Sequence, residues 1–450
     1  MAEINTLERW SDNKKALCEK NDYISPVLFA EYGVNTGLRD EKGRGVLTGL
    51  TNISDIVSYN ESGGTRTPCE GQLWYRGYRV EDLIAGLGKY EMGYEKIAYL
   101  LLLGEMPDEI SREEFFELLG DNRQLPENFV RDVIMKAPTS DIMNAITKSI
   151  LTLSSHDSKA LEVTAVNSLR KCVQLIAWFP SLAIYSYHSY NYKRNNKTMY
   201  IHNPDPKLST AENLLLMLRP DQKYTQLEAK VLDTALILHM EHGGGNNSTF
   251  VTRVVTSTGS DAYSTMAAAM CSLKGPRHGG ANIKVMQMMD DIRAHVHDYA
   301  DEDEIAAYLK KMLSREAFDG KGLIYGIGHA VYTVSDPRER VFKSFVERLA
   351  KEKGRENDLR LYQSIEDTAP ALLAAQSKGS KVFCPNVDFY SGFVYDMLGI
   401  PRELYTALFA VARVVGWSAH RQEELLTSEK IIRPAYKSVM RRNTDVKCDK

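Results

Sequence analysis

The sequence has few cysteines, and they follow no pairing pattern. They are Cys18, Cys69, Cys172, Cys271, Cys384 and Cys448. None of them forms a CxxC pair, although zinc sites and disulfide frameworks usually show short, repeated cysteine spacings. The sequence therefore predicts neither kind of site. Cys384 lies beside a polar motif, and we interpret it as a buried thiol that packs like a small apolar residue rather than as a nucleophile.

The chain also lacks long apolar runs and an excess of basic residues. The longest purely apolar runs, such as residues 98–103, are far shorter than the roughly 18 residues that a membrane span needs. The 450 residues carry a formal net charge of -3, which offers no general attraction to nucleic acid. The start of the chain has early acidic residues and no apolar targeting segment. We expect a cytoplasmic protein that binds neither a membrane nor a nucleic acid.

Apolar residues recur at helical spacing over most of the chain. From residue 80 onwards they lie three and four residues apart, and clusters of Pro, Gly and Asn interrupt them. Residues 45–78 differ, because short β-branched and aromatic pieces alternate there with Gly, Ser and Asn, which predicts one or two small hairpins. The predicted fold class is mainly α, with a few short strands near the N-terminus.

Residues 326–338 form the stretch richest in candidate site residues. Gly326 and Gly328 allow the backbone to approach a ligand closely, and His329 follows them directly. An imidazole polarises a carbonyl group, and the guanidinium of Arg338 binds a carboxylate through two hydrogen bonds. The pattern indicates a site for an anionic carbonyl compound, although a loop histidine with a structural role fits the same residues.

Two histidines near residue 240 raise the alternative of a metal site. His239 and His242 lie three residues apart at the end of an amphipathic stretch, so they share a helix face. Their spacing matches neither HEXXH nor HXXEH, and the HXE pattern of zinc deaminases would need a downstream PCXXC. We therefore predict no metal site here.

Arg413 lies among apolar residues in a helix that we expect to begin at Pro401 and to continue through Leu426. A buried arginine is costly unless an anion pairs with it. A structural salt bridge and a substrate carboxylate fit this residue equally well.

Three motifs together resemble those of the citrate synthase family. They are Gly-Pro-Arg-His-Gly-Gly-Ala-Asn at residues 275–282, Gly-Ile-Gly-His-Ala-Val-Tyr-Thr-Val-Ser-Asp-Pro-Arg at residues 326–338, and Pro-Asn-Val-Asp-Phe-Tyr-Ser-Gly at residues 385–392. Residues 70–78 and 432–434 are similar to the family's early and late segments, and all five stretches stand in the family's order.

The resemblance implies an architecture. It is a citrate synthase-like fold, with a large helical domain of residues 1–282 plus 395–450 and a smaller inserted helical domain of residues 283–394. The motifs then fall near both sides of the junction, which suits a cleft that domain movement closes. The resemblance also implies a homodimer in which Arg433 reaches into the partner's site.

The resemblance further implies the condensation of acetyl-CoA with oxaloacetate. Asp388 would be the base, His278 would stabilise the enol or enolate, and His329 would polarise the oxaloacetate carbonyl. The implied oxaloacetate-binding residues are His242, Arg338, Arg413 and Arg433. The loop of residues 322–328 would contact CoA. Neither a metal nor a redox cofactor is needed.

Two alternatives to this reaction stay open at the level of sequence. A 2-methylcitrate synthase shares the same residues but accepts propionyl-CoA, and one methylene changes discrimination by only about 1–3 kcal/mol. A non-catalytic, ligand-binding paralogue is disfavoured, because a protein that only binds oxaloacetate has no use for a base at Asp388.

Three residues depart from the family's usual pattern. Ile327 stands where an aromatic or small residue is more usual, and Thr333 stands where many members have a basic residue, which puts the recognition of the CoA phosphates in question. Arg277 replaces a small or apolar residue, and we expect its charge to act on His278.

Overall fold

The structure is a computed structural model that describes residues 6–40, 44–62, 65–89, 91–329, 331–377, 382–427 and 429–440. Its packing divides the chain into two units, Met1–Leu50 and Thr51–Lys450. The first unit contains two helices, α1 (Thr6–Asp22) and α2 (Pro26–Glu31), and neither has a buried residue.

The second unit opens with a small antiparallel sheet. Its strands are β1 (Ser54–Ser62), β2 (Thr65–Tyr75) and β3 (Tyr78–Arg79), in the order β1-β2-β3. At the inner end of β2 every second residue is buried, namely Gly71, Leu73 and Tyr75, as expected for a strand with one face on the core. The prediction of small hairpins in this stretch is confirmed.

The rest of the second unit is mainly helical, and the predicted fold class is confirmed. Its helices are α3 (Val80–Ala85), α4 (Tyr94–Leu103), α5 (Glu109–Asp121), α6 (Ile142–Leu153), α7 (Ala165–Arg194), α8 (Thr210–Leu218), α9 (Gln226–His239), α10 (Asn247–Thr256), α11 (Ala262–Leu273), α12 (Ala281–His295), α13 (Glu302–Leu313), α14 (Pro337–Lys353), α15 (Glu356–Gln376), α16 (Val387–Met397) and α17 (Tyr405–Thr427). Single π-helical or 3₁₀ turns occur at Val130–Ile134, Ser154–His156 and Arg402–Leu404.

Polar side chains fix where several of these helices begin. Ser209 and Thr225 form capping boxes at α8 and α9, so side chains satisfy backbone groups that the first helical turn leaves free. Asp336 caps α14 and Asn386 caps α16. The last two caps fix the N-terminal ends of the helices that carry Arg338 and Asp388, two of the predicted site residues.

Helix α17 lies in the core and packs against α4, α7, α9, α10 and α11. Both Arg413 and Trp417, one turn apart on it, are fully buried. The predicted start at Pro401 is wrong, because the ψ angle of Pro401 is extended at 143° and residues 402–404 form a 3₁₀ turn. The N–H of Leu404 donates to the carbonyl of Pro401 at 2.9 Å, so a short turn precedes the helix.

Within the described ranges, no helix is both long enough and apolar enough to cross a bilayer. The cytoplasmic location stays a prediction. So does the division into a large domain of residues 1–282 plus 395–450 and a small domain of residues 283–394.

Candidate active site

Backbone pairing fastens the His329 motif to the Asp388 motif. Residues 326–328 run antiparallel to residues 384–386. The N–H of Gly328 donates to the carbonyl of Cys384 at 2.7 Å, and the N–H of Asn386 donates to the carbonyl of Gly326 at 2.9 Å. The side-chain amide of Asn386 also donates to the carbonyl of Gly328 at 2.7 Å. The two motifs therefore form one structural piece.

Gly326 is required because α16 packs directly on the loop. Its φ angle is +84°, and a Cβ at this position would lie 2.9 Å from a ring carbon of Phe389. A side chain would push away the helix that carries Asp388. The sequence predicted that the backbone at Gly326 approaches a ligand closely. In the structure its close neighbour is Phe389 of α16.

The ring of His329 is held in one tautomer. Its Nδ1 accepts the backbone N–H groups of Val331 and Tyr332 at 3.0 and 3.1 Å. Burial, reinforced by the charge of Arg338, lowers the pKa of His329 to about 4, so the ring is neutral near pH 7. A neutral ring that accepts at Nδ1 carries its hydrogen on Nε2. That atom lies 3.5 Å from Nη2 of Arg338, so two donors face the same space and suit an oxygen atom of a ligand.

Arg338 is buried and held by Asp336. Its Nε and Nη2 donate to the two carboxylate oxygens of Asp336 at 3.0 and 2.7 Å. Asp336 also accepts the backbone N–H of Val387 at 3.1 Å. Burial alone would lower the pKa of Arg338, but Asp336 outweighs burial and raises it. Asp336 thus keeps this cation charged and ties it to the start of α16.

Arg413 is a fully buried cation in α17. Its Nε donates to the carbonyl of His239 at 2.7 Å, and its guanidinium lies 4.6 Å from the ring centre of Phe409. Its Nη1 and Nη2 have no hydrogen-bond partner among the described residues. Burial lowers the pKa of Arg413 to about 10, against the opposing influence of Glu241. A buried guanidinium with unused donors indicates a place for an anion.

Asp388 lies partly buried in the first turn of α16. Its backbone N–H donates to Oδ1 of Asn386 at 3.0 Å. Burial raises the pKa of Asp388 to about 6, and the neighbouring charge of Arg338 opposes this rise. The carboxylate is therefore a stronger base than an ordinary aspartate but is still ionised at neutral pH.

His278 lies partly buried beside the start of α10. Its Nε2 is 3.1 Å from Oγ of Ser248 and accepts the backbone N–H of Ser248 at 3.4 Å. Burial and then Arg413 lower the pKa of His278 to about 4, so this ring is also neutral near pH 7. Arg277 is exposed, and the charge found to act on His278 is that of Arg413 rather than the expected one of its neighbour.

His242 belongs to the site, whereas His239 packs in the core. The ring of His242 lies 5.4 Å from that of His329, and its Nε2 is buried without a partner in the described part of the chain. Burial and Arg338 hold the pKa of His242 well below its usual value. His239 instead packs edge-on against Phe409 at 4.9 Å. Across the described residues no three His, Cys, Asp or Glu side chains are grouped as metal ligands would be.

Arg433 is not placed with the other predicted residues. It lies in residues 429–440, which follow α17 and form no helix or strand, and its side chain is exposed. The neighbouring N–H of Ile432 donates to Oγ of Ser257 at 3.0 Å, which anchors this segment near the end of α10. An exposed arginine on such a segment is compatible with the predicted contribution to a partner's site, which stays a prediction.

Sequence reasoning missed several residues that support the site. Tyr332 lies against His242 and His329, with ring centres 5.5 and 5.0 Å away. Ser335 accepts the N–H of Gly71 at 3.1 Å, which docks β2 on the site loop. Tyr332 and Ser335 both lie inside the 326–338 motif, and this position was the feature of the sequence that could have identified them.

A second missed group lies behind His242. The buried carboxylate of Glu241 accepts from Oγ of Ser54 and from Nε2 of His420, each at 2.9 Å. A Cβ at Gly416 would collide with this carboxylate. The three contacts join β1 and α17 to the segment just after α9, directly beside His242. No local pattern in the sequence pairs these positions.

The arrangement offers three chemical functions in one place. Asp388 supplies a base, the neutral imidazoles of His278 and His329 supply hydrogen-bond donors, and Arg338 and Arg413 supply buried positive charge. Such a set suits proton removal next to a carbonyl group together with the binding of a carboxylate.

Comparison with known proteins gives concordant matches. The family model described as citrate synthase, C-terminal domain, matches residues 37–435. A citrate synthase from Synechocystis sp. is 34% identical over 373 residues, which cover 81% of this chain and 84% of the relative. A 2-methylcitrate synthase from Shewanella oneidensis is 33% identical over 367 residues, which cover 81% and 87% of the two chains.

A solved structure matches as well. It is the ternary complex of carboxymethyl coenzyme A and oxaloacetate with citrate synthase from Thermoplasma acidophilum. The two chains are 28% identical, the match covers 89% of this chain and 97% of the other, and the TM-score is 0.72.

Proposed function

The chain belongs to the citrate synthase family, and we propose that it condenses acetyl-CoA with oxaloacetate and hydrolyses the resulting citryl-CoA to citrate and CoA. The observation that carries the proposal is the buried Arg413, whose Nη1 and Nη2 have no partner among the described residues. The charge of Arg413 acts on the carboxyl of Asp388 and on the neutral ring of His278, and the neutral ring of His329 lies beside Arg338. A site for a small carboxylate next to a base matches this reaction.

In the first step Asp388 removes a proton from the methyl group of acetyl-CoA. The negative charge moves onto the thioester oxygen, where the Nδ1–H of His278 donates a hydrogen bond. A carboxylate base needs this help, because the methyl proton is weakly acidic. The raised pKa of Asp388, about 6 as a result of burial, makes the proton transfer less unfavourable.

In the second step the carbon of this enolate attacks the ketone carbon of oxaloacetate, and a carbon–carbon bond forms as the ketone π electrons move to oxygen. The Nε2–H of His329 polarises the ketone oxygen, and the resulting alkoxide takes up a proton from water to give the alcohol. Water then cleaves the thioester of citryl-CoA, which releases CoA as the thiol. Proton removal needs a neutral ring at His278, and the condensation needs one at His329. Burial lowers the pKa of both rings to about 4.

We propose that His242, Arg338 and Arg413 bind the oxaloacetate dianion, with Arg433 supplied by the second chain of a homodimer. Support comes from the Nη atoms of Arg413, which have no partner in the described part of the chain, and from the exposed position of Arg433. The loop of residues 322–328 is our candidate for CoA contacts.

The alternative acyl donor is propionyl-CoA. Relatives named for citrate and for 2-methylcitrate synthesis match this chain at almost equal identity, so similarity does not separate the two. A non-catalytic paralogue is disfavoured, because burial raises the pKa of Asp388 to about 6 and a binding protein gains nothing from a destabilised carboxylate.

The test is the release of CoA thiol by the purified protein. We expect release from acetyl-CoA only in the presence of oxaloacetate, at a rate that EDTA leaves unchanged. A higher kcat/KM with propionyl-CoA would assign the chain to 2-methylcitrate synthesis. Absence of thiol release with either acyl donor would reject the synthase function, and loss of activity with EDTA that zinc restores would reject the metal-free site.

A further inference from the structure

We propose that Glu241 is the internal counter-charge of Arg413, which stabilises the ligand-free protein and at the same time limits the affinity of the site for a dianion. The inference rests on the proposed binding of oxaloacetate by Arg413. Glu241 acts on the substrate through the field of its charge and through Arg413, so it is a positioning residue rather than a catalytic one.

The carboxylate of Glu241 lies on the same side of α17 as Arg413. A Cβ at Gly416 would lie 2.3 Å from Oε2 of Glu241, and Nε2 of His420 lies 2.9 Å from its Oε1. Positions 413, 416 and 420 share one face of a helix. The Nε of Arg413 also donates to the carbonyl of His239 at 2.7 Å, two positions before Glu241, so the acid and the cation are held close together.

The two opposite charges nevertheless do not form a direct pair. Ser54 and His420 both donate to Oε1 of Glu241 at 2.9 Å. Its Oε2 has no hydrogen-bond partner among the described residues, and neither have Nη1 and Nη2 of Arg413. A direct pair would join these atoms to each other. Glu241 therefore supplies negative charge near the guanidinium and leaves the Nη donors to a ligand.

Each of these two groups affects the ionisation of the other. Burial would raise the pKa of Glu241, but His420 and Arg413 outweigh burial and lower it to about 2, so the carboxylate is ionised at pH 7. Burial lowers the pKa of Arg413, and Glu241 is the largest influence against this fall. A buried charge that loses its partner is strongly destabilising. Glu241 thus stabilises the protein when no anion is bound.

The same negative charge opposes the binding of an anion. A dicarboxylate on Nη1 and Nη2 would bring two negative charges towards the fixed carboxylate of Glu241. At an effective dielectric constant of about 20 and a separation of roughly 10 Å, this repulsion lowers affinity by a factor on the order of 10². Neutralising Glu241 should therefore tighten binding, whereas damage to a merely structural residue beside His242 would weaken it.

The first test is calorimetry of Glu241→Gln at pH 7 without acetyl-CoA. Glutamine keeps the shape and the oxygen that accepts from Ser54 and His420. We expect the Kd for oxaloacetate, a dianion, to fall by about 10- to 100-fold. Pyruvate has one carboxylate, so its Kd should fall by only about 3- to 10-fold.

Glu228→Gln is the matched control. Glu228 is also buried, and it lies in the first turn of α9, roughly 20 Å from Glu241 along the helix axis. Burial would raise the pKa of Glu228 as well, but Arg219 lowers it to about 2. This variant removes an equally buried negative charge far from the site, so it should lower Tm and leave both Kd values unchanged.

Thermal unfolding of the ligand-free protein gives an independent readout. Glu241→Gln should lower Tm, because Arg413 loses its counter-charge. The double variant Glu241→Gln/Arg413→Gln removes both charges, so its Tm should be higher than that of Glu241→Gln alone. Saturating oxaloacetate should narrow the difference in Tm between the natural enzyme and Glu241→Gln, because the variant binds it more tightly.

Specific outcomes overturn the proposal. A higher or unchanged Kd for oxaloacetate in Glu241→Gln, an equal gain for pyruvate, the same gains in Glu228→Gln, or a double variant less stable than Glu241→Gln would each reject it. If Glu241→Gln does not fold, a folded double variant supports the proposal and an unfolded one rejects it.

The outcomes also separate this proposal from the proposed reaction. Calorimetry needs no turnover, so a protein that shows the predicted changes in Kd but releases no CoA thiol would reject the reaction alone. If the natural protein binds no oxaloacetate, the proposed substrate is wrong, and the Tm values of the single and double variants still decide whether Glu241 is the counter-charge of Arg413.

Discussion

Asn386 joins Asp388 to the loop of Gly328 through the two ends of one side-chain amide. Its Oδ1 accepts the N–H of Asp388 at 3.0 Å, and its Nδ2 donates to the carbonyl of Gly328 at 2.7 Å. Asn386→Asp keeps the helix cap but places a carboxylate oxygen against that carbonyl. We expect the free energy of unfolding to fall by about 1–3 kcal/mol and kcat to fall more than oxaloacetate affinity, measured by chemical denaturation and steady-state kinetics.

Asn386→Ser provides the control for this change. Serine also caps helices but brings no charge to the Gly328 carbonyl, so we expect a smaller loss of stability than with aspartate. Equal stability and kcat in the natural enzyme and in Asn386→Asp would show that the bridge to Gly328 does not hold the site together.

The pH dependence of the rate should report the titration of Asp388. Burial raises its pKa to about 6, and the pKa values of His278 and His329 are lowered to about 4. As pH falls from 8 to 5, protonation of Asp388 removes the base while both rings stay neutral. We expect kcat/KM to fall along a one-proton limb near pH 6 and Asp388→Asn to lose roughly 10²- to 10⁴-fold in rate at pH 8.

A second buried carboxyl tests this assignment. Burial and then Glu366 raise the pKa of Glu339 to about 8. Glu339→Gln removes that group, and the limb near pH 6 should remain. Its disappearance in Glu339→Gln, or an Asp388→Asn enzyme that turns over at the natural rate, would show that Asp388 is not the base.

Arg413→Lys should weaken oxaloacetate binding, because lysine keeps the charge and loses the two-pronged geometry. We expect the dissociation constant, measured by calorimetry, to rise by about 10- to 100-fold. Arg421→Lys is the matched control in the same helix. Arg421 is equally buried, but it donates to Ser168 and to other hydroxyl and carbonyl oxygens. That variant should lower Tm and leave the dissociation constant unchanged; an unchanged constant in Arg413→Lys would contradict the anion site.

A mixed dimer tests whether two chains share each site. We expect homodimers of Asp388→Ala and of Arg433→Ala to be nearly inactive. In a heterodimer of the two, one site carries both lesions and the other has neither, so about half of the natural activity should return. The dimer is purified through two different affinity tags and assayed for thiol release. If Arg433 serves its own chain, each site keeps one lesion and mixing restores nothing.

The sequence predicted the helical fold, because helices depend on local patterns. Apolar spacing marks helix faces. The three motifs are short uninterrupted stretches of sequence, and they contain His278, His329, Arg338 and Asp388. In the structure His329 and Arg338 lie 3.5 Å apart at their nearest nitrogens. The catalytic roles of these residues stay predictions.

What the sequence did not predict depends on contacts between distant segments. Trp417 reaches Ser248, which lies 169 positions earlier, and no periodicity couples a residue inside α17 to one at the start of α10. The tautomer of His329 follows from two backbone N–H groups whose direction is set only when the loop folds. The start of α17 was misplaced because Pro401 restricts φ but leaves ψ free to be extended.

The unused donors of Arg413 also have a thermodynamic meaning. Arg338 and Arg413 are both buried, and the charge of Arg338 helps to lower the pKa of Arg413, so the two cations repel each other when no anion lies between them. The binding of a small dicarboxylate, as proposed, would relieve this repulsion. By linkage, occupancy adds RT ln(1 + [L]/Kd) to the folded state, which is about 2.7 kcal/mol when the ligand is at one hundred times its Kd. If oxaloacetate is the ligand, as proposed, its concentration would thus raise the resistance of the folded protein to heat and proteolysis.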